Sequence, residues 1–165
     1  MIASDSAAAA HRLVVAGDTL DAGEVEPLDL RPYRRGVYVG WLRRRAHADL
    51  LLGRGVVRYL SAVVVMELRA GIVSRRTERA VNQLLRPYAE AGRILSPSAA
   101  IFDRAGQVLR ELRMRGREVR RASLVGDVLI ALAARASGAT LWTADAGAFE
   151  AIRAIEPFSL RLAAT

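Results

Sequence analysis

Residues 122–145 constrain the fold more than any other part of the chain. They read Ala-Ser-Leu-Val-Gly-Asp-Val-Leu-Ile-Ala-Leu-Ala-Ala-Arg-Ala-Ser-Gly-Ala-Thr-Leu-Trp-Thr-Ala-Asp. The apolar run Val128–Ala134 predicts a short helix with Asp127 at its front and Gly138 at its end. Ala139–Thr143 then predicts a short buried strand, with Asp145 following its C-terminal end. Helix, tight turn and strand therefore carry two carboxylates 18 positions apart (145 − 127). In an open parallel sheet, ligands bind beyond the carboxyl ends of the strands. A carboxylate there, with a second at a nearby helix start, points to a metal site more than to a requirement of folding.

The rest of the chain repeats the alternation. We expect strands at Leu28–Tyr33, Val56–Leu60, Arg93–Leu95 and Ile155–Leu160, the last broken by Pro157. Helices are expected over Gly36–Leu42, Ala46–Leu52, Ala62–Ala70 behind a Ser61 cap, Thr77–Ala89, Ser96 to about Arg115, and Gly147–Ala154. Ser96-Pro97 reads as a cap followed by proline at the first helical position. Short strands alternating with longer helices indicate an α/β fold with a parallel sheet. Residues 1–27 look like an N-terminal extension to a domain spanning 28–165. Within the extension, Arg12–Ala16 is a candidate short strand, and the segment is expected either to be disordered or to pack as an added element.

Composition narrows the chemistry. With no Cys, disulfides, thiolate metal sites and cysteine nucleophiles are excluded, and two His residues, His11 and His47, cannot form a His-rich centre. All 25 basic residues are Arg, against 17 acids, for a net charge of +8. That excess favours polyanions, phosphate backbones above all. Its densest runs are Arg43, Arg44 and Arg45, and the set from Arg110 to Arg121 that includes Arg113, Arg117 and Arg120. The apolar runs are too short to span a bilayer and the N-terminus has no secretory pattern, so a cytoplasmic protein without a membrane partner is expected.

Helix Ala62–Ala70 reads as apolar nearly all round and hence buried in a larger core, with Glu67 its only carboxylate. A buried acid is costly unless it is paired or bound to a metal. Glu67, Asp127 and Asp145 together suit Mg2+ or Mn2+, hard ions that prefer oxygen ligands. Such a site can activate water and stabilise charge on a phosphodiester.

These segments resemble the PIN-domain family. Leu60-Ser61-Ala62-Val63-Val64-Val65-Met66-Glu67-Leu68-Arg69-Ala70-Gly71 is similar to its second acidic motif. Asp127-Val128-Leu129-Ile130-Ala131 and Gly138-Ala139-Thr140-Leu141-Trp142-Thr143-Ala144-Asp145 are similar to the third and fourth, with Phe149 and Ile152 at the apolar positions beyond. The resemblance is to the VapC-type toxins of toxin–antitoxin pairs and covers roughly residues 28–160. It implies a three-layer α/β/α sandwich around a mostly parallel sheet, Mg2+-dependent endoribonuclease activity, a homodimer, and a small antitoxin partner. It makes Glu67, Asp127 and Asp145 the catalytic metal ligands, and Thr143 the residue that orients the last of them. A position for Asp127 in the first helical turn would favour its charge through the helix dipole. RNA backbone contacts would fall to Arg43, Arg44, Arg45, Arg113, Arg117 and Arg120.

The family's first acid, an Asp ending its first strand, has no match in Tyr33-Arg34-Arg35-Gly36-Val37-Tyr38-Val39, where Arg34 takes its place. A guanidinium about 4 Å from a unit charge interacts with it by roughly 4 kcal/mol at an effective dielectric near 20. One alternative is therefore a catalytically degenerate domain that binds RNA or a protein without cutting. Another is that Asp18, in Leu13-Val14-Val15-Ala16-Gly17-Asp18-Thr19, supplies the first acid, and a third is that Arg34 points away from a site of three acids.

Overall fold

Five parallel strands form one sheet, and their order decides where a ligand can bind. The structure, a computed structural model, describes residues 12–15, 57–119, 122–143 and 146–162. The strands are β1 (Arg12–Val15), β2 (Val57–Ser61), β3 (Ile94–Leu95), β4 (Thr140–Thr143) and β5 (Leu160–Leu162). They lie in the order β3-β2-β1-β4-β5, every pair parallel. The described helices are α1 (Ala62–Ala70), α2 (Arg75–Glu90), α3 (Ala99–Met114), α4 (Ala122–Ala136) and α5 (Ala146–Arg153). Helices and sheet form the expected α/β/α sandwich, with α1 packed on α2 and α4, and α3, α4 and α5 packed on one another.

The segment set apart as an extension contributes the middle strand. Val15 of β1 pairs with Leu60 of β2 on one side and with Trp142 of β4 on the other. The expected strand Leu28–Tyr33 and the helices read over residues 36–52 lie outside the described residues.

The core is built from the stretch that constrained the fold most. Residues Val128 to Ala134 of α4 are all buried, so this helix is enclosed on every side. Its C-terminus closes with Gly138 at φ 63, where the amide of Gly138 donates to Arg135 O (3.0 Å) and that of Ala139 to Ala134 O (2.9 Å). This pairing satisfies the last carbonyls of the helix and needs a left-handed residue that glycine adopts without strain. The chain then runs directly into β4, where Leu141 and Thr143 face the core and Thr140 and Trp142 are half-buried.

Four expectations at element boundaries are corrected. The third helix is capped by Ser98, whose Oγ accepts from the Ile101 amide (3.4 Å), so it starts two residues beyond the expected Ser96 cap, with Pro97 outside the helix. Helix α2 starts at Arg75 because Ser74 and Thr77 form a reciprocal capping box. Helix α1 is not buried all round: Val63, Val64 and Leu68 face the core, but Met66 is 61% exposed because only one side of the helix packs on the sheet and on α4. The last strand starts at Leu160, not Ile155, because Glu156 and Pro157 form a pinned turn.

That turn is held by charge. Buried Glu156 takes Arg104 of α3 on Oε2 (Nε at 2.7 Å, Nη2 at 2.6 Å) and Arg135 of α4 on Oε1 (Nη1 at 2.9 Å). Arg135 Nε also donates to the Pro157 carbonyl at 3.2 Å. One carboxylate thus ties two helices to the approach to β5. Both arginines are partly exposed and can turn to water if it is lost, so the cost falls below that of a fully buried pair. Glu156→Gln keeps the shape and removes the charge, and is expected to lower unfolding stability by about 2 kcal/mol in urea titrations.

Candidate metal site

In a sheet ordered β3-β2-β1-β4-β5, the chain fills one side and then the other, so the order reverses between β1 and β4. A crevice opens outside the carboxyl ends of the strands at such a reversal. Because Val15 is level with both Leu60 and Trp142, the ends of β1, β2 and β4 lie together.

Two of these ends hand directly on to candidate residues. Ser61, the last residue of β2 and wholly buried, caps α1 by accepting the Val63 amide at 3.2 Å. This fixes the direction of α1 and hence of half-buried Glu67. Thr143, the last residue of β4, is buried with 2% exposure, as suits a hydroxyl that orients a neighbour. Asp145 falls between the end of β4 and the start of α5 in sequence and lies outside the described residues.

Helices α1 and α4 meet at Glu67 and Gly126. A Cβ built on Gly126 would stand 3.1 Å from Glu67 Oε1 and 3.3 Å from Val63 Cγ1. The Glu67 carboxylate therefore lies against the backbone of the residue that precedes Asp127. Glu67 and the residue before Asp127, 59 positions apart in sequence (126 − 67), are thus brought to one helix contact. Carboxylate oxygens from two packed helices are the donor set a hard divalent cation requires. Among the described residues no group of three His, Asp or Glu forms a metal cluster.

Asp127 differs from its expected place in one respect. Helix α4 starts at Ala122, so Asp127 is its sixth residue and stands in the second turn. The helix dipole acts within the first turn, so it does not support the charge of Asp127 as expected. The apolar run starts at Val128, which is why the first turn, with Ser123 in it, and Gly126 after it do not read as helix.

Gly126 was not singled out from the sequence. A glycine inside an otherwise apolar helix was the available signal, because it costs about 1 kcal/mol relative to alanine and calls for a packing reason.

The basic residues divide in the same way. Arg113 is exposed in the last turn of α3, and Arg117 follows that helix with its guanidinium donating to Gly147 O at 3.4 Å, in the first turn of α5. Arg117 is thus drawn to the helix that follows β4 and Asp145. Arg34, Arg43, Arg44, Arg45 and Arg120, and Asp18 with them, lie outside the described residues. No described helix is long and apolar enough to cross a membrane.

The chain is similar to known proteins in sequence and in fold. A model of the PIN domain family matches residues 35–155. Among solved structures, the chain is similar to VapBC2 from Rickettsia felis bound to a DNA fragment from their promoter, at 25% identity and TM-score 0.58, over 77% of this chain and 93% of that one. It is also similar to FitAB bound to the IR36 DNA fragment (23% identity, TM-score 0.49, 64% of this chain and 72% of that one). A third similar structure is FitAcB from Neisseria gonorrhoeae (26%, TM-score 0.48, 62% and 73%). No curated protein matches the chain.

Proposed function

The chain belongs to the PIN domain family, and on that premise we propose that it is a VapC-type endoribonuclease dependent on Mg2+ or Mn2+, the toxin of a toxin–antitoxin pair. The observation that carries this reading is the Glu67 carboxylate of α1 set against Gly126 of α4, the residue before Asp127. Glu67, Asp127 and Asp145 would hold the cation, and Thr143 would orient Asp145. The cation, when bound, supplies activation of water and stabilisation of charge on the phosphodiester. The protein's own part is to hold the acids converged, and to fix the RNA backbone through Arg43, Arg44, Arg45, Arg113, Arg117 and Arg120. The similarity to VapBC2 supports a small antitoxin as partner. A homodimer in the cytoplasm completes the reading.

We also propose that the domain begins before β1 and that Asp18 is its first acid. The strand between β2 and β4 ends at Val15, three positions before Asp18. This weighs against the non-cutting alternative, which rests on Arg34. Asp18→Asn should then weaken Mn2+ binding, and Arg34→Asp should leave it unchanged. The opposite pair of results restores Arg34 as the residue in the position of the first acid.

The direct test is cleavage of single-stranded RNA by the purified chain. Cleavage is expected with Mg2+ or Mn2+, is expected to stop with a chelator, and should return when the ion is restored. Failure to cleave any of a panel of structured and unstructured RNAs with either ion counts against the enzyme reading. RNA affinity should fall with salt, and Arg113→Ala and Arg117→Ala should each lower the slope of log K against log salt by about 0.7.

A further inference from the structure

We propose that Gly126 is a positioning residue for the carboxylate cluster: the space its missing side chain leaves is the seat of the Glu67 carboxylate. This rests on the metal reading above and names a residue that the reading does not use.

Three observations carry it. First, the backbone of Gly126 does not explain the glycine. The residue lies inside α4 and has none of the positive φ that Gly92, Gly116 and Gly138 show. Second, a small residue alone is not what the position needs. Helix α4 carries alanine, not glycine, at its other small buried positions, Ala131, Ala133 and Ala134. Third, the atom nearest to the absent Cβ is a carboxylate oxygen, Glu67 Oε1 at 3.1 Å, with the apolar Val63 Cγ1 next at 3.3 Å. Both are closer than ordinary contact, so an added methyl makes a neighbour give way by a few tenths of an ångström. Val63 is buried in the core and has little room to move, whereas Glu67 is half-buried on a flexible side chain. The carboxylate is the group that yields, and it yields away from Asp127's helix.

Alanine is therefore acceptable to the helix and harmful to the site, a combination that a purely structural glycine does not produce. The test uses the full chain and calorimetric titration with Mn2+ alone, beside thermal unfolding of the same samples. Gly126→Ala is expected to lower Mn2+ affinity about 10-fold, as loss of a supporting contact to a metal ligand does, with the unfolding temperature unchanged or raised. In a Glu67→Asp background, whose carboxylate sits one methylene farther back, Gly126→Ala should change affinity by less than about 2-fold. Adding Val63→Ala to Gly126→Ala should not restore affinity.

Unchanged affinity in Gly126→Ala overturns the proposal, as does full restoration by Val63→Ala, which makes the effect one of packing. A chain destabilised by Gly126→Ala overturns it too, since the helix itself favours alanine. Absence of Mn2+ binding by the unmutated chain overturns the metal reading, and this proposal with it.

Discussion

Asp127→Asn is expected to abolish cation-dependent RNA cleavage while leaving the chain folded. The substitution keeps the shape of the side chain and removes one anionic oxygen. Loss of a supporting partner around a metal lowers affinity 10- to 100-fold, so loss of a ligand itself should reduce cleavage by roughly 1000-fold, about 4 kcal/mol of transition-state stabilisation. Stability should move the other way. The proposed site holds Asp127 and Glu67 to one cation, and like charges held together oppose folding until the cation joins them. Without metal, the Asn variant should unfold at the same temperature as the native chain or above it. Millimolar Mn2+ should raise the melting temperature of the native chain and not that of the variant, because an ion that binds only the folded state stabilises it by mass action. A variant that keeps both its cleavage and its Mn2+-induced shift removes Asp127 from the site.

Phe149→Ala should have the largest effect on stability. Among the described residues, Phe149 is the largest fully buried side chain, and it shares the core with Leu141 of β4 and Ile152 of α5. Truncating a buried Phe costs about 3–5 kcal/mol through lost transfer energy and the cavity left behind. Domains of this size hold about 5–15 kcal/mol in all, so the variant should lose a third of its stability or more. The urea midpoint should fall with the slope unchanged. A loss below about 1 kcal/mol shows that α5 is not part of the core that folds cooperatively.

How much of this could be read in advance depended on the range of the forces involved. The α4–β4 unit was legible because its signals are local: an apolar run buried on every side, and Gly138 where the helix must end. Phe149 and Ile152, which the family resemblance marked only as apolar positions, are buried in the core. The strand at Arg12–Val15 was visible as a strand but not as the centre of the sheet. Its partners lie 45 positions away at Val57 and 127 away at Thr140, and no local pattern records such pairings. The same limit concealed Gly126, whose meaning appears only when α1 crosses α4. Glu156 looked like part of a last strand because nothing near it in sequence announces Arg104, 52 positions earlier.

The position of β1 also sets the order in which the molecule can be completed. Strands β2 and β3 can pair as soon as residue 95 has been made, but β1 gains its second neighbour only once β4, at residues 140–143, has been made. A pairing of that sequence separation is slow to form, and chains fold from the N-terminus as they are translated. The proposed cluster needs Glu67, Asp127 and Asp145 at one edge of a finished sheet. A ribosome translating this chain therefore holds the proposed cluster unassembled until Asp145, just beyond β4, has emerged.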